Sequence, residues 1–156
     1  MKKTDINVVM LNDLLKINMD RVERYKKAGY DTVDSELKSV FYAIADESRK
    51  NITDISMLMM KAYGPSKTDK PVNTGKIYKA WMEVKSKFSG TWRNNLLNSC
   101  EFGELAAISA YTMAKIETVN TGILELLNRQ MEAFKASMEV IKSYRQAYDR
   151  LDKIPR

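Results

Sequence analysis

NSCEFGELAAISAYTMA, residues 98–114, reads as one long helix with a seam of small residues. Cys100, Gly103, Ala107, Ala110 and Ala114 recur in steps of three and four, so small side chains share one face of a helix. A glycine inside a helix costs about 1 kcal/mol against alanine. At Gly103 it predicts a close crossing or a large side chain opposite. The same stretch carries two carboxylates, Glu101 and Glu104, and Glu104 shares a face with Leu97, Ile108 and Tyr111. Such a helix needs partners, and the rest of the chain supplies three more.

Toward the N-terminus, a first helix is expected from about Asp5 to Ala28. Its seam is Leu11, Leu15, Asn18, Val22 and Tyr25, and Gly29 is expected to end it. A second follows a cap at Asp34 or Ser35. Its seam is Leu37, Phe41, Ile44, Ser48, Asn51, Ile55, Leu58 and Ala62, and Gly64-Pro65 stops it. The third starts after Thr91 and ends near Glu117, with Leu96 opening its seam. The fourth runs from about Gly122 to Asp152, after a cap at Asn120 or Thr121. Its seam is Ile123, Leu127, Gln130, Phe134, Ser137, Ile141, Tyr144, Tyr148 and Leu151. Nothing reads as a strand.

Link lengths fix the order. The first and last pairs of helices are joined by about five residues, which makes each pair an antiparallel hairpin. The middle pair is separated by a segment of about residues 64–90, long enough to run the length of the bundle. It holds a shorter amphipathic helix with Ile77, Trp81, Val84 and Phe88 on one face. A basic aromatic helix of this kind is known at membranes and nucleic acids, but the expected role is a connector whose Trp81 and Phe88 pack on the bundle. The expected fold is therefore all-α: residues 1–156 as one domain, a ferritin-like four-helix bundle with a long, partly helical crossover.

Composition excludes several functions. The net charge is +6, but Lys and Arg alternate with Asp and Glu along every helix, so a solvated surface is expected rather than a nucleic-acid footprint. No segment approaches the roughly 20 apolar residues that span a bilayer. The N-terminal apolar run is broken by Asn7, Asn12 and Asp13, which argues against a signal peptide. A cytoplasmic protein without membrane contact is expected. Cys100 is the sole cysteine and there is no histidine, so disulfides, zinc fingers and histidine-based triads are excluded. Met57, Met59 and Met60 are read as core filler in preference to a soft copper site.

The seams turn polar at their centres. Asn18, Ser48, Asn51, Gln130 and Ser137 lie there, with Glu47, Glu101 and Glu104 close by. Buried polar groups must find partners. A di-iron or di-manganese bundle places carboxylates at comparable positions and adds a Glu-x-x-His motif on each of two helices. Here Glu47 is followed three residues later by Lys50, Glu101 by Glu104, and Glu132 by Lys135. The expectation is a hydrogen-bonded core layer of Asn18, Glu47, Asn51, Glu101, Glu104 and Gln130, with no cofactor and no catalytic residue. An all-carboxylate iron or manganese site at Glu47, Glu101 and Glu104 is the alternative.

Several segments together carry a resemblance: LNDLLKINMDRVERYKKA, LKSVFYAIADESRKN, NTGKIYKAWMEVKSKFSG, LLNSCEFGELAAISAY and LLNRQMEAFKASMEVIKSYR. In this order they resemble a bacterial family of uncharacterised ferritin-like four-helix bundles, the domain-of-unknown-function family 2383, over roughly Leu11 to Leu151. The most specific pieces are Gly75 to Trp81 and Cys100 to Glu104. Asp20, Tyr25, Glu47, Lys85 and Gln130 also match. The family usually carries histidine where this chain has Tyr78, often another in place of Met138, and arginine in place of Phe102. The resemblance implies the bundle and, through the superfamily, a stress-linked or iron-related role. The residues themselves point to a non-enzymatic structural or interaction protein. Homo-oligomerisation is expected through Val8, Val9, Met10 and Ile154, with weak nucleic-acid association as a further alternative.

Overall fold

A computed structural model of the chain describes residues 3–64, 74–88 and 96–152. Among these every element is a helix: α1 (Lys3–Asp31), α2 (Ser35–Tyr63), α3 (Lys76–Phe88), α4 (Leu96–Glu117) and α5 (Thr121–Asp152). The local chemistry sets the boundaries. The Asp34 carboxylate accepts the Leu37 N–H at 3.0 Å and caps α2. Gly64 closes that helix with φ of +83°, its N–H donating to the Met60 carbonyl. The Asn120 side chain accepts the Ile123 N–H at 3.0 Å and caps α5.

Gly29 does not end α1, which continues to Asp31. The glycine is there for space. A Cβ on it would lie 2.7 Å from the Tyr42 ring, which rests on the helix at that point. Gly103 meets the sequence expectation of a large group opposite: a Cβ there would lie 2.7 Å from the Arg24 guanidinium.

Cross-helix hydrogen bonds give the topology. Asn18 bonds to Asn51 and Tyr111, and Tyr111 bonds to Gln130. One turn along α1, Arg21 bonds to Ser48 and Glu104, and Glu47 bonds to Ser137. Numbering thus rises together on α1 and α5 and falls on α2 and α4. The second and fourth helices are parallel, so the chain between them must travel back along the bundle. α3 does this. Its contacts with α1 run in register from Asp13–Gly75 to Asp20–Lys85, so it lies parallel to α1, and it also packs on α4.

Two apolar clusters flank the central polar groups. The larger gathers Leu11, Leu14, Ile17, Ile55, Ile77, Trp81, Leu127 and Phe134. The smaller gathers Tyr25, Leu37, Phe41, Ile44, Leu97, Cys100 and Ile141. The expected seams of α1 and α4 are largely buried, with Leu11, Asn18, Val22 and Tyr25 on α1 and Cys100, Ala107, Ala110 and Ala114 on α4, but each buried face is wider than its seam. On α1, Leu14, Ile17 and Arg21 are buried, whereas Leu15 is half-buried. On α4 the buried face runs through Leu97, Glu104 and Tyr111, and Leu96 is exposed.

Trp81 is buried, as the connector reading expects, while the side chain of Phe88 lies outside the described residues. Val8 and Met10 are core residues and Val9 is half-buried, so these do not offer the exposed surface expected of them. Ile154 lies outside the described residues. Met59 fills the core as expected, but Met57 and Met60 are exposed, so the core-filler reading fails for these two, and the three side chains do not share one side of α2. No described helix is long and apolar enough to cross a membrane.

Candidate functional site

The centre of the bundle is a polar layer in two tiers. The first is neutral. Asn18 donates from Nδ2 to the Tyr111 hydroxyl and to the Leu14 carbonyl, both at 2.9 Å. Tyr111 donates to Gln130 Oε1 at 2.5 Å. Gln130 Nε2 reaches the Asn51 carbonyl at 3.4 Å, and Asn51 Nδ2 donates to Asn18 Oδ1 at 3.1 Å. The ring closes through α1, α4, α5 and α2. Each amide and the phenol can both give and take a hydrogen bond, which is why the ring closes without charge. The Tyr111 ring meets Phe134 edge-on at 4.8 Å. Burial pushes the Tyr111 phenol well up from its usual value.

The second tier is charged and centres on Arg21, which is only 2% exposed. Its Nε and Nη2 donate to Glu104 Oε1 at 3.1 and 2.8 Å. Its Nη1 donates to Glu47 Oε1 at 2.9 Å and to Ser48 Oγ at 2.7 Å. The guanidinium carbon lies 4.4 Å from the Phe134 ring centre. Tyr25 adds a third donor to Glu104 Oε1 at 2.5 Å. Ser137 donates to Glu47 Oε2 at 3.3 Å. Glu104 Oε2 is buried and accepts no hydrogen bond among the described residues.

The electrostatics follow from burial and pairing. Burial pushes Glu104 above the usual carboxylate range, and the Arg21 guanidinium opposes that rise. Three donors converging on one oxygen favour the ionised form. Burial works against charge on Arg21, but Glu104, Tyr25 and Glu47 outweigh it and the net direction is up. Burial and then the Glu104 charge drive the Tyr25 phenol well up. The Cys100 thiol, buried beside them, is pushed up to about 12, chiefly by burial. At neutral pH it is a protonated core side chain rather than a nucleophile.

Of the six residues singled out in the sequence, the structure brings Asn18, Asn51, Gln130, Glu47 and Glu104 into the layer. Glu101 does not join them. It pairs with Arg145 Nε at 2.5 Å on the flank of α4, where its side chain is 20% exposed. Arg145 on α5 holds Glu101 on the flank, while Glu104, three positions on, turns to Arg21 at the centre.

Arg21 and Tyr111 are central residues that the sequence did not place there, and Asp13 is a third buried polar residue it missed, under the start of α3. Asp13 is buried and supplies the α3 cap from another helix: its carboxylate accepts the N–H of Gly75 at 2.9 Å and of Tyr78 at 3.2 Å. Gly75 permits that approach, since a Cβ would collide with the Asp13 carboxylate and with Val9. Asp20 completes the attachment by accepting Tyr78 Oη at 2.8 Å and Trp81 Nε1 at 3.0 Å. Tyr78, where the resemblance implies histidine, thus serves α3 docking, and its phenol is pushed up to about 12 by burial and Asp20.

Residues 7–116 match the family described as a domain of unknown function (DUF2383). The chain belongs to that family. The match takes in α3 with its Asp13 and Asp20 contacts, and the charged tier except Phe134 and Ser137. No curated protein matches the chain at a significant level.

Metal-carrying bundles invite a test of this donor set. Hard divalent ions take several oxygen ligands, and iron and manganese also accept imidazole. In this layer a guanidinium sits between Glu47 and Glu104, Glu101 is turned away, and there is no histidine. Among the described residues no three acidic, cysteine or histidine side chains are grouped to hold a metal ion. The residues do not fit a di-metal centre.

Proposed function

We propose that this member of DUF2383 is a non-enzymatic helical-bundle protein that works through interaction, with copies of itself as the partner. The observation that carries the reading is Arg21: its guanidinium joins Glu104 to Glu47, which consumes the carboxylates a reactive centre would need. The bundle order, with α2 and α4 parallel, supports a ferritin-like ancestry in which the central layer has become structural.

Surface chemistry supports association. Ile116 and Val119 at the α4–α5 turn are about 80% exposed, and Met57 and Met60 are exposed toward the C-terminal end of α2. Because α2 and α4 run parallel, their C-terminal ends place these residues at the same end of the bundle. A groove of about 370 Å³ lies there too, walled by Ile6, Val9, Met10 and Ile77 and bordered by the Lys76–Glu117 ion pair. Clustered apolar surface of this kind marks interaction sites.

Two measurements test the reading. Light scattering over a concentration series is expected to give a mass above the 17.9 kDa of one chain. A monodisperse monomer at high concentration contradicts self-association. Anaerobic titration of metal-free protein with Fe(II) or Mn(II) is expected to show no stoichiometric uptake. One or two tightly bound ions per chain contradict the non-enzymatic reading.

A further inference from the structure

One guanidinium serves both acids of the layer. Glu104 is fully buried and Glu47 is half-buried, with 27% of its side chain exposed. An isolated buried carboxylate is costly, so charges in such places are paired or bind metals. Here one side chain supplies the positive charge. Arginine keeps its proton at any physiological pH, and its planar fork meets two acids at once. Four of its hydrogen bonds are spent on Glu104, Glu47 and Ser48. Phe134 covers one face of the guanidinium. A metal ion entering this position would have to displace a paired cation or sit against it.

We propose that Arg21 is the resident cation of this bundle: its guanidinium holds the position between Glu47 and Glu104 that a bound metal cation would otherwise take, and so closes the layer to metal. The inference deepens the non-enzymatic reading and rests on it. It assigns the position a ligand class. Once Arg21 is shortened, the pocket accepts a small cation, planar or divalent, and not a neutral molecule of the same shape.

The experiment uses the full chain carrying Arg21→Ala, with methylguanidinium, its neutral isostere methylurea, and Mn(II) as probes. Methylguanidinium and Mn(II) are expected to raise the melting temperature of the variant, and methylurea is not. Mn(II) is expected to bind the variant at least about tenfold more tightly than the wild-type chain. Equal rescue by methylurea overturns the proposal, because volume rather than charge would then be what Arg21 supplies. Failure of both cations to rescue a folded Arg21→Ala overturns it too.

If Arg21→Ala does not fold, the pair Arg21→Met and Arg21→Met/Glu104→Gln decides. Removing the acid along with the cation is expected to restore stability relative to Arg21→Met alone. A double variant no more stable than the single one overturns the proposal. Stoichiometric Mn(II) on the wild-type chain would instead contradict the non-enzymatic reading, and the variant measurements separate the two failures.

Discussion

The two tiers of the polar layer lie one helical turn apart and solve the same problem differently. The Asn18–Asn51–Tyr111–Gln130 ring uses groups that donate and accept, and it closes on itself. The Arg21 tier uses full charges, and it leaves Glu104 Oε2 unmatched. Neutral rings fix register at low cost. Charged tiers fix it more strongly, and losing either partner strands the other in a medium that cannot solvate it.

Both tiers contain a buried phenol, so the largest effect comes from alkaline pH, which attacks them together. Tyr25 and Tyr111 hold their protons well above 10.0, the usual phenol value, and Cys100 is raised from 9.0 to about 12. The native state therefore binds these protons more tightly than the unfolded chain. Their contribution is fully present below 9.0 to 10.0 and is lost as pH rises toward the raised values. Circular dichroism and tyrosinate absorbance recorded together should show the last phenols ionising as helix is lost. Complete ionisation with helix intact would contradict the packing of both tiers.

Breaking the charged tier alone comes next. Arg21→Met leaves Glu104 buried without its cation and should cost about 3–5 kcal/mol in urea unfolding. The neutral tier should respond less. Asn18→Leu strands the Asn51 amide and removes a donor from Tyr111, a cost of about 1–3 kcal/mol. Equal losses from the two variants would erase the distinction between tiers. The smallest effect is expected outside the layer. Glu101→Gln breaks a partly exposed pair with Arg145 and should change stability by about 1 kcal/mol or less in the same assay.

The helices and the long crossover were legible because their signals are local. Steps of three and four set the seams, Asp34 and Asn120 cap, and Gly64 closes α2. Which charged residues join a buried seam is less local. Arg21 and Val22 both fit the spacing between Asn18 and Tyr25, and hydrophobicity favours the valine. Both are in fact buried. Arginine is rarely buried unless it is paired, and its partners sit 26 and 83 residues away. Glu101 and Glu104 posed the same choice, which Arg145 on α5 settles.

The cap on α3 was hidden for a similar reason. Its own first turn has no acidic residue, and the carboxylate comes from Asp13, 62 residues before Gly75. The one local clue was Gly75, a glycine at the mouth of a helix, which marks a close approach without saying by what.

Nuclear magnetic resonance of the guanidinium protons in the wild-type protein shows whether Arg21 is a buried and fully engaged cation. A resolved Arg21 Nε–H signal is expected at neutral pH, exchanging with water far more slowly than those of exposed arginines, and collapsing to the exposed behaviour in Glu104→Ala. An Arg21 Nε–H that exchanges as fast as that of Arg150 on the surface of α5 would contradict it.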